Sequence, residues 1–411
     1  PATLAPGDYT ISVTTPFEKI EKTLDFEILP NPVLTSIEPL KGYVGAVVTV
    51  VAENLGRIDK EDIQMMFGET PATDITITGG NTFEVKVPSL TTFGDIPLSM
   101  TIHGVEMNMG GYAAFEILAS PVITSVETDN KFSSKAVQVG NTVTIKGTGF
   151  RNSTISSATF GGQDLNYTVV SDTKITASVS EQCAEGEDVI TLKFDDVVVD
   201  VVSGDKLNML KAGSDISDYI LTNVKQPFES KEGKTSGHCT PVGWKFNYGA
   251  GNDGFCHNES EIEMPGEGLY MNDQGGLLVI QSGWEGRSKK MNGKMFQIFN
   301  IPQGIYDVVI DVAELATNGG GRKKAGLFIS KGGEEQTPNM DASGNWTENT
   351  NLLKSVDFYK LGETYNENYK DRRFVIENLT IDYEGETTLG FAVHFDSNRA
   401  LKISSIKVLL K

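Results

Sequence analysis

Short runs of alternating apolar and polar residues fill the first half of the chain. The period of two in Thr142-Val143-Thr144-Ile145-Lys146 sends successive side chains to opposite faces of an extended strand, one dry and one wet. By that rule residues 32–118 predict strands at Val33–Ile37, Val47–Ala52, Ile63–Phe67, Thr82–Val87, Ile96–Ile102 and Tyr112–Leu118. Turn signals such as Gly79-Gly80-Asn81 and Phe93-Gly94-Asp95 separate them. Residues 121–211 predict a matching order: Val122–Val126, Val143–Lys146, Ser157–Phe160, Lys174–Ser178, Val189–Phe194 and Lys206–Leu210. After Leu210 the rhythm changes. A short helical candidate, Asp215–Thr222, precedes longer runs at Gly276–Ser282, Met295–Asn300, Ile305–Leu315, Ala325–Lys331, Arg372–Asp382, Thr387–Phe395 and Leu401–Leu410.

The two early sets are copies of one another. Pro32-Val33-Leu34-Thr35-Ser36-Ile37-Glu38 returns as Pro121-Val122-Ile123-Thr124-Ser125-Val126-Glu127, and Phe67-Gly68 returns as Phe160-Gly161. Val48-Thr49-Val50-Val51-Ala52-Glu53-Asn54-Leu55 returns as Val143-Thr144-Ile145-Lys146-Gly147-Thr148-Gly149-Phe150. A period of roughly 90 residues suits tandem self-contained domains better than a solenoid. Gly7–Val13 and Phe26–Leu29 resemble Gly94–Met100 and Phe115–Leu118, so residues 1–31 read as the closing strands of a further repeat that begins upstream.

Both copies resemble the IPT/TIG family of immunoglobulin-like domains. Residues 121–211 carry its Pro-x-Ile-x-Ser-Val-Glu opening, Gly140-x-x-Val-Thr-Ile-x-Gly-x-Gly-Phe, and a strand ending in Phe-Gly. Residues 32–118 depart at Ala52-Glu53-Asn54-Leu55, where the family has Gly-x-Gly/Asn-Phe. Further on, Phe296–Ile310 runs strand, Pro302-x-Gly304-x-Tyr306 turn, return strand. Leu389–Phe395 then leads by a tight loop to Leu401-Lys402-Ile403-Ser404-Ser405-Ile406-Lys407-Val408. That order resembles the galactose-binding-like jelly roll of many carbohydrate-binding modules. The fold expected is all-β: tandem immunoglobulin-like sandwiches followed by a larger jelly-roll sandwich. Its parts are a truncated domain over 1–31, domains over 32–118 and 119–211, and a jelly roll over 212–411.

Charge removes one class of partner. A formal net charge of −20 opposes phosphate, so nucleic acid is excluded as a partner. No run reaches the ~18–20 apolar residues that cross a bilayer. The three cysteines are too few for a disulfide scaffold; Cys239 and Cys256, beside His238 and His257, leave a loop disulfide, two free thiols or, less readily, zinc open.

No nucleophile elbow, P-loop or EF-hand loop accompanies the four histidines, and an enzyme is not expected. No cofactor is expected either. Aromatic placement remains. Trp284 follows a strand end between glycines, Trp346 lies among Gly, Ser and Asn, and Trp244 alternates like a core residue. Indole faces stack on the C–H faces of sugars while loop groups bond the hydroxyls. The long segment Gln336–Asp371, read as a functional loop, adds Tyr359 and Tyr365. Arg287, Asn318, Arg322, Asn398 and Arg399 supply polar groups at strand ends.

The whole architecture resembles the surface glycan-binding lipoproteins of Bacteroidetes. That implies a poly- or oligosaccharide ligand, a cell-surface position at the outer membrane, an N-terminal lipid anchor outside this chain, and a neighbouring outer-membrane transporter complex. An adhesin with a protein or matrix partner, and the non-catalytic region of a polysaccharide-degrading enzyme, are the alternatives. Pro30-Asn31-Pro32 and Ser120-Pro121 restrict the linkers between repeats, which predicts a stiff, extended molecule. Small-angle scattering is expected to give an elongated particle; a compact globule contradicts the linker reading.

Overall fold

The computed structural model describes residues 4–11, 24–231, 233, 237–239, 241–248, 268–271, 276–281, 291–317, 323–341, 345–358, 369–395 and 399–411. It is an all-β protein with the single short α-helix Ser217–Ile220 among these residues. The chain forms two compact units, Pro1–Thr128 with Val139–Asn208, and Asp129–Gln138 with Met209–Lys411.

In the first unit each repeat is a two-sheet sandwich. The first repeat pairs Val33–Glu38, Val47–Glu53, Thr82–Lys86 and Ile75–Gly79, in that order, against a sheet that includes Ala114–Ile117, Gly94–Ile102 and Ile63–Phe67. Strict alternation along Val47–Glu53 buries Val48, Val50 and Ala52, which meet Met65, Phe67, Met100 and Phe115 from the facing sheet. Phe67 and Phe115 pack edge to face at 5.4 Å. The second repeat repeats the first sheet as Val122–Thr128, Val143–Thr148, Lys174–Ser178 and Asn166–Ser171, with Ile155–Phe160 and Gly186–Phe194 opposite. Ile75–Gly79 and Asn166–Ser171 were not among the expected strands. They sit at sheet edges with mostly exposed side chains, so they carry little hydrophobic signal.

The repeated motifs have conformational causes. Gly68 and Gly161, ending the two Phe-Gly strands, adopt φ of +62° and +55°, a left-handed turn that a glycine enters without strain. Asn54 holds φ +62° where the second repeat has Gly149 at +76°. Asparagine tolerates this region better than other side chains, so the departure from the family pattern preserves the turn. It also delivers Leu55 and Phe150, each 1% exposed, into their cores.

The second unit is an antiparallel jelly-roll sandwich. One sheet runs Gly237–Cys239, Gly268–Met271, Leu277–Gln281, Arg399–Leu410, Gly304–Thr317, Tyr369–Ile381; the other runs Lys245–Tyr248, Met291–Asn300, Glu386–Phe395, Lys323–Lys331, Leu352–Asp357. Between them lie Ile310, Val312, Ile403, Ile406, Leu327, Leu389, Phe391 and Phe395. Trp244 is core, stacked on Phe391 at 5.9 Å with its indole N–H donating to the Asn223 carbonyl. Phe132 and Ala136 belong to the same packing. The expected helix at Asp215–Thr222 shrinks to Ser217–Ile220, because Asp215 bridges to Leu409 and Leu221 is already extended. The segment Gln336–Asp371 is likewise no structureless loop: it holds the strand Leu352–Asp357, and Tyr369 opens the next strand.

The Pro302-x-Gly304-x-Tyr306 turn closes on itself. The Tyr306 hydroxyl donates to the Pro302 carbonyl at 2.7 Å, and burial pushes its pKa up to about 12. Stability from the neutral phenol is therefore complete below pH 10 and lost as pH rises through about 12, on the order of 2–3 kcal/mol in all. Denaturant midpoints are expected to fall across that window, and Tyr306→Phe to flatten the fall. Trp244→Ala should cost about 3–5 kcal/mol in the same assay.

Candidate functional site

The strand ends of the jelly roll converge at one rim. Gln281 pairs with Ala400, Thr317 with Arg399, and Leu315 with Tyr369 in one sheet. Met291 and Lys323 both pair with Phe395 in the other. Three segments are strung between these two sets of ends, 282–290, 318–322 and 396–398, and a fourth, 359–368, joins the strand Leu352–Asp357, whose last residue pairs with Gly326, to Tyr369. They hold Trp284 and Arg287, Asn318 and Arg322, Tyr359 and Tyr365, and Asn398. Those residues lie outside the described residues, as does the side chain of Arg399, whose backbone opens a strand. The described part of the site is the frame that carries them.

Trp346 is the candidate whose side chain is described. It lies about 10 Å in from the rim, over the outer face of the five-stranded sheet, since Gly326 beneath it is three residues from the strand start at Lys323. Backbone bonds from Asp341 to Asn345 and from Thr347 to Asn339, with the Met340–Trp346 bridge, make a hairpin of this stretch. The indole is partly buried, packs edge-on to Phe328 at 6.2 Å, and donates its N–H to Asp357 at 2.8 Å. A Cβ on Gly326 would stand 2.8 Å from the indole Cζ2, so the bare glycine is what lets the ring lie down on the strand. Trp346 is thus a pinned ring, with rather more core to fill than its Gly-, Ser- and Asn-rich surroundings imply.

One transverse row of the sheet runs Asn247, Lys294, Ala392, Gly326, Asp357. Its middle is small, and its two ends are polar. Lys294 is buried, its ammonium donating to the carbonyl and hydroxyl of Thr337. Burial pushes its pKa down, opposed in part by the charge of Glu334, which also accepts from Asn247. Lys294, Thr337, Gly326 and Asp357 carry no mark of this role in the sequence. Nothing in Lys294-Met295-Phe296 signals a buried ammonium, and Asp357 gains its role from a residue eleven positions away.

Residues 32–116 and 121–201 match the model of the IPT/TIG domain. The chain carries two IPT/TIG domains. No curated protein sequence matches it. Among solved structures it is similar to SGBP-B from a complex xyloglucan utilization locus in Bacteroides uniformis, at 14% identity over 93% of this chain and 100% of that one, TM-score 0.21. It is similar to TmCBM61, solved in complex with β-1,4-galactotriose, at 13% identity over 41% of this chain and 90% of that one, TM-score 0.23. It is also similar to SGBP-B of the Bacteroides ovatus mixed-linkage glucan utilization locus, solved with a mixed-linkage heptasaccharide, at 12% identity over 99% and 84%, TM-score 0.20.

Among the described residues no three His, Cys, Asp or Glu side chains are placed to hold a metal. A two-pronged ion pair, Arg373 to Asp311 at 2.7 and 3.2 Å, belongs to the six-stranded sheet. Bonds from Arg373, then Ser405, hold the Asp311 carboxyl below the usual carboxylate range. Gly326→Ala is expected to lift the indole of Trp346 and break its bond to Asp357. Intrinsic tryptophan fluorescence should shift to the red, while a shift no larger than that of a surface Gly→Ala control would mean the ring is not seated there.

Proposed function

We propose that the jelly-roll unit binds a polysaccharide or oligosaccharide at the rim where its strand ends converge. The supporting observation is that convergence. Trp284, Tyr359, Tyr365, Arg287, Asn318, Arg322 and Asn398 suit sugars by their chemistry alone, yet every segment that holds them is also strung between neighbouring strand ends, with Arg399 opening one of those strands. Aromatic rings there would take the C–H faces of sugar rings, and the amides and guanidinium groups would take the hydroxyls. Trp346, held edge-on by Asp357, extends the surface inward along the sheet. The protein works by binding, without catalysis. Its IPT/TIG domains act as spacers that carry the jelly roll away from an outer-membrane surface, where it captures glycan for an uptake transporter.

Affinity electrophoresis through gels containing soluble plant polysaccharides tests this directly. Retardation is expected for the intact chain with at least one polysaccharide. Losing one aromatic platform, as in Trp284→Ala or Trp346→Ala, should cost about 1–3 kcal/mol, by analogy with base stacking. That is roughly one to two decades in affinity. Trp346→Ala should also lower the melting temperature, though less than Trp244→Ala. Unchanged retardation in Trp284→Ala, Trp346→Ala, Tyr359→Ala and Tyr365→Ala alike would remove the rim from the function.

A further inference from the structure

A cavity of about 490 Å³ opens between the two IPT/TIG domains, within the N-terminal unit. One side is formed by residues 39–47 of the first domain, the other by Asn152 and the turn Asp195–Val198 of the second. Leu118, on the connection between the domains, joins Val47 and Val198 in an aliphatic wall. The polar lining is mixed: Lys41 can only donate, Asp195 and Asp196 can only accept, and Asn152 can do both.

Tyr43 makes this more than a crevice with charged edges. It lines the cavity, is 1% exposed, and its hydroxyl makes no hydrogen bond. Burial raises its pKa first, then the charges of Asp196 and Asp172. Buried hydroxyls are rarely left without partners, because losing water's bonds without replacement is costly. In the facing turn the Asp195 N–H bonds the Thr154 carbonyl, and Asp196 accepts from Ser153 at 3.2 Å.

The lining selects a ligand class. An anion meets two carboxylates, and a cation leaves the Tyr43 and Lys41 donors unanswered. A neutral ring that both gives and accepts hydrogen bonds, and can lay C–H groups on an aliphatic wall, meets each requirement. We propose that the junction of the two IPT/TIG domains is a saccharide-binding site for one or two sugar units, independent of the rim of the jelly roll. Its volume lies within the ordinary range of small-ligand sites.

Saturation-transfer NMR on the full chain, with millimolar cellobiose, lactose, maltose and xylobiose as separate probes, tests the proposal. At least one disaccharide should receive saturation. The signal should stay at half or more in a Trp284→Ala, Trp346→Ala double variant and, in that background, fall at least fivefold in Asp195→Asn, Asp196→Asn and in Tyr43→Phe. No signal with any probe, or a signal that survives the Asp and Tyr43 substitutions, overturns the site. Loss of signal in the Trp double variant assigns the sugar to the rim and also overturns it. Failure of the rim reading would appear separately, as polysaccharide retardation indifferent to the rim aromatics.

Discussion

A strand buried on both faces organises the C-terminal unit. Along Glu386–Phe395 every residue after the first is buried. Leu389, Phe391, Val393 and Phe395 enter the core between the sheets, while Ala392 faces outward into a second cluster with Phe296, Phe328 and Met340. An antiparallel sheet ordinarily leaves one face to water. Here the outer face is apolar as well and must be roofed, and residues 332–341 and 345–352 supply the roof. Thr388 ties it down by donating to the Gly332 carbonyl at 2.7 Å, and Lys294 does so through Thr337. Trp346 rides on this roof, so its position follows from the need to cover Phe296 and Phe328.

The sandwich frame beneath was legible because alternation and repetition are local in sequence. Val48, Val50 and Ala52 declare their face without any knowledge of the facing sheet. The repeat supplied a second, independent reading of each strand. What escaped was settled by distant partners. Leu352–Asp357 has an irregular, half-exposed pattern and becomes a strand by pairing with Gly326–Ser330. Lys294 looks like a surface residue until a carbonyl forty-three positions later is placed over it.

The candidate site divides along the same line. Composition could pick out Trp284, Tyr359 or Arg322 as residues suited to sugars, but not say that their segments leave neighbouring strand ends. That comes from register, which pairs Gln281 with Ala400 and Thr317 with Arg399. Trp346 shows the opposite weakness. Its Gly, Ser and Asn neighbours suggested an open platform, whereas Asp357 and Phe328 hold one edge of the ring in place. Fixing a ring in advance lowers the ordering cost of binding a flexible ligand.

The strand Arg399–Leu410 follows every other described strand of the jelly roll in chain order, yet it sits in the interior of the six-stranded sheet, between Leu277–Gln281 and Gly304–Thr317. A ribosome delivers the chain from the other direction. Until those last residues clear the exit tunnel, Leu277–Gln281 and Gly304–Thr317 have no common neighbour and their facing edges stay unpaired. The IPT/TIG domains can each close as they emerge, but this sandwich must wait for its final strand. Its folding is necessarily late, and rich in contacts distant in sequence, the kind that form slowly.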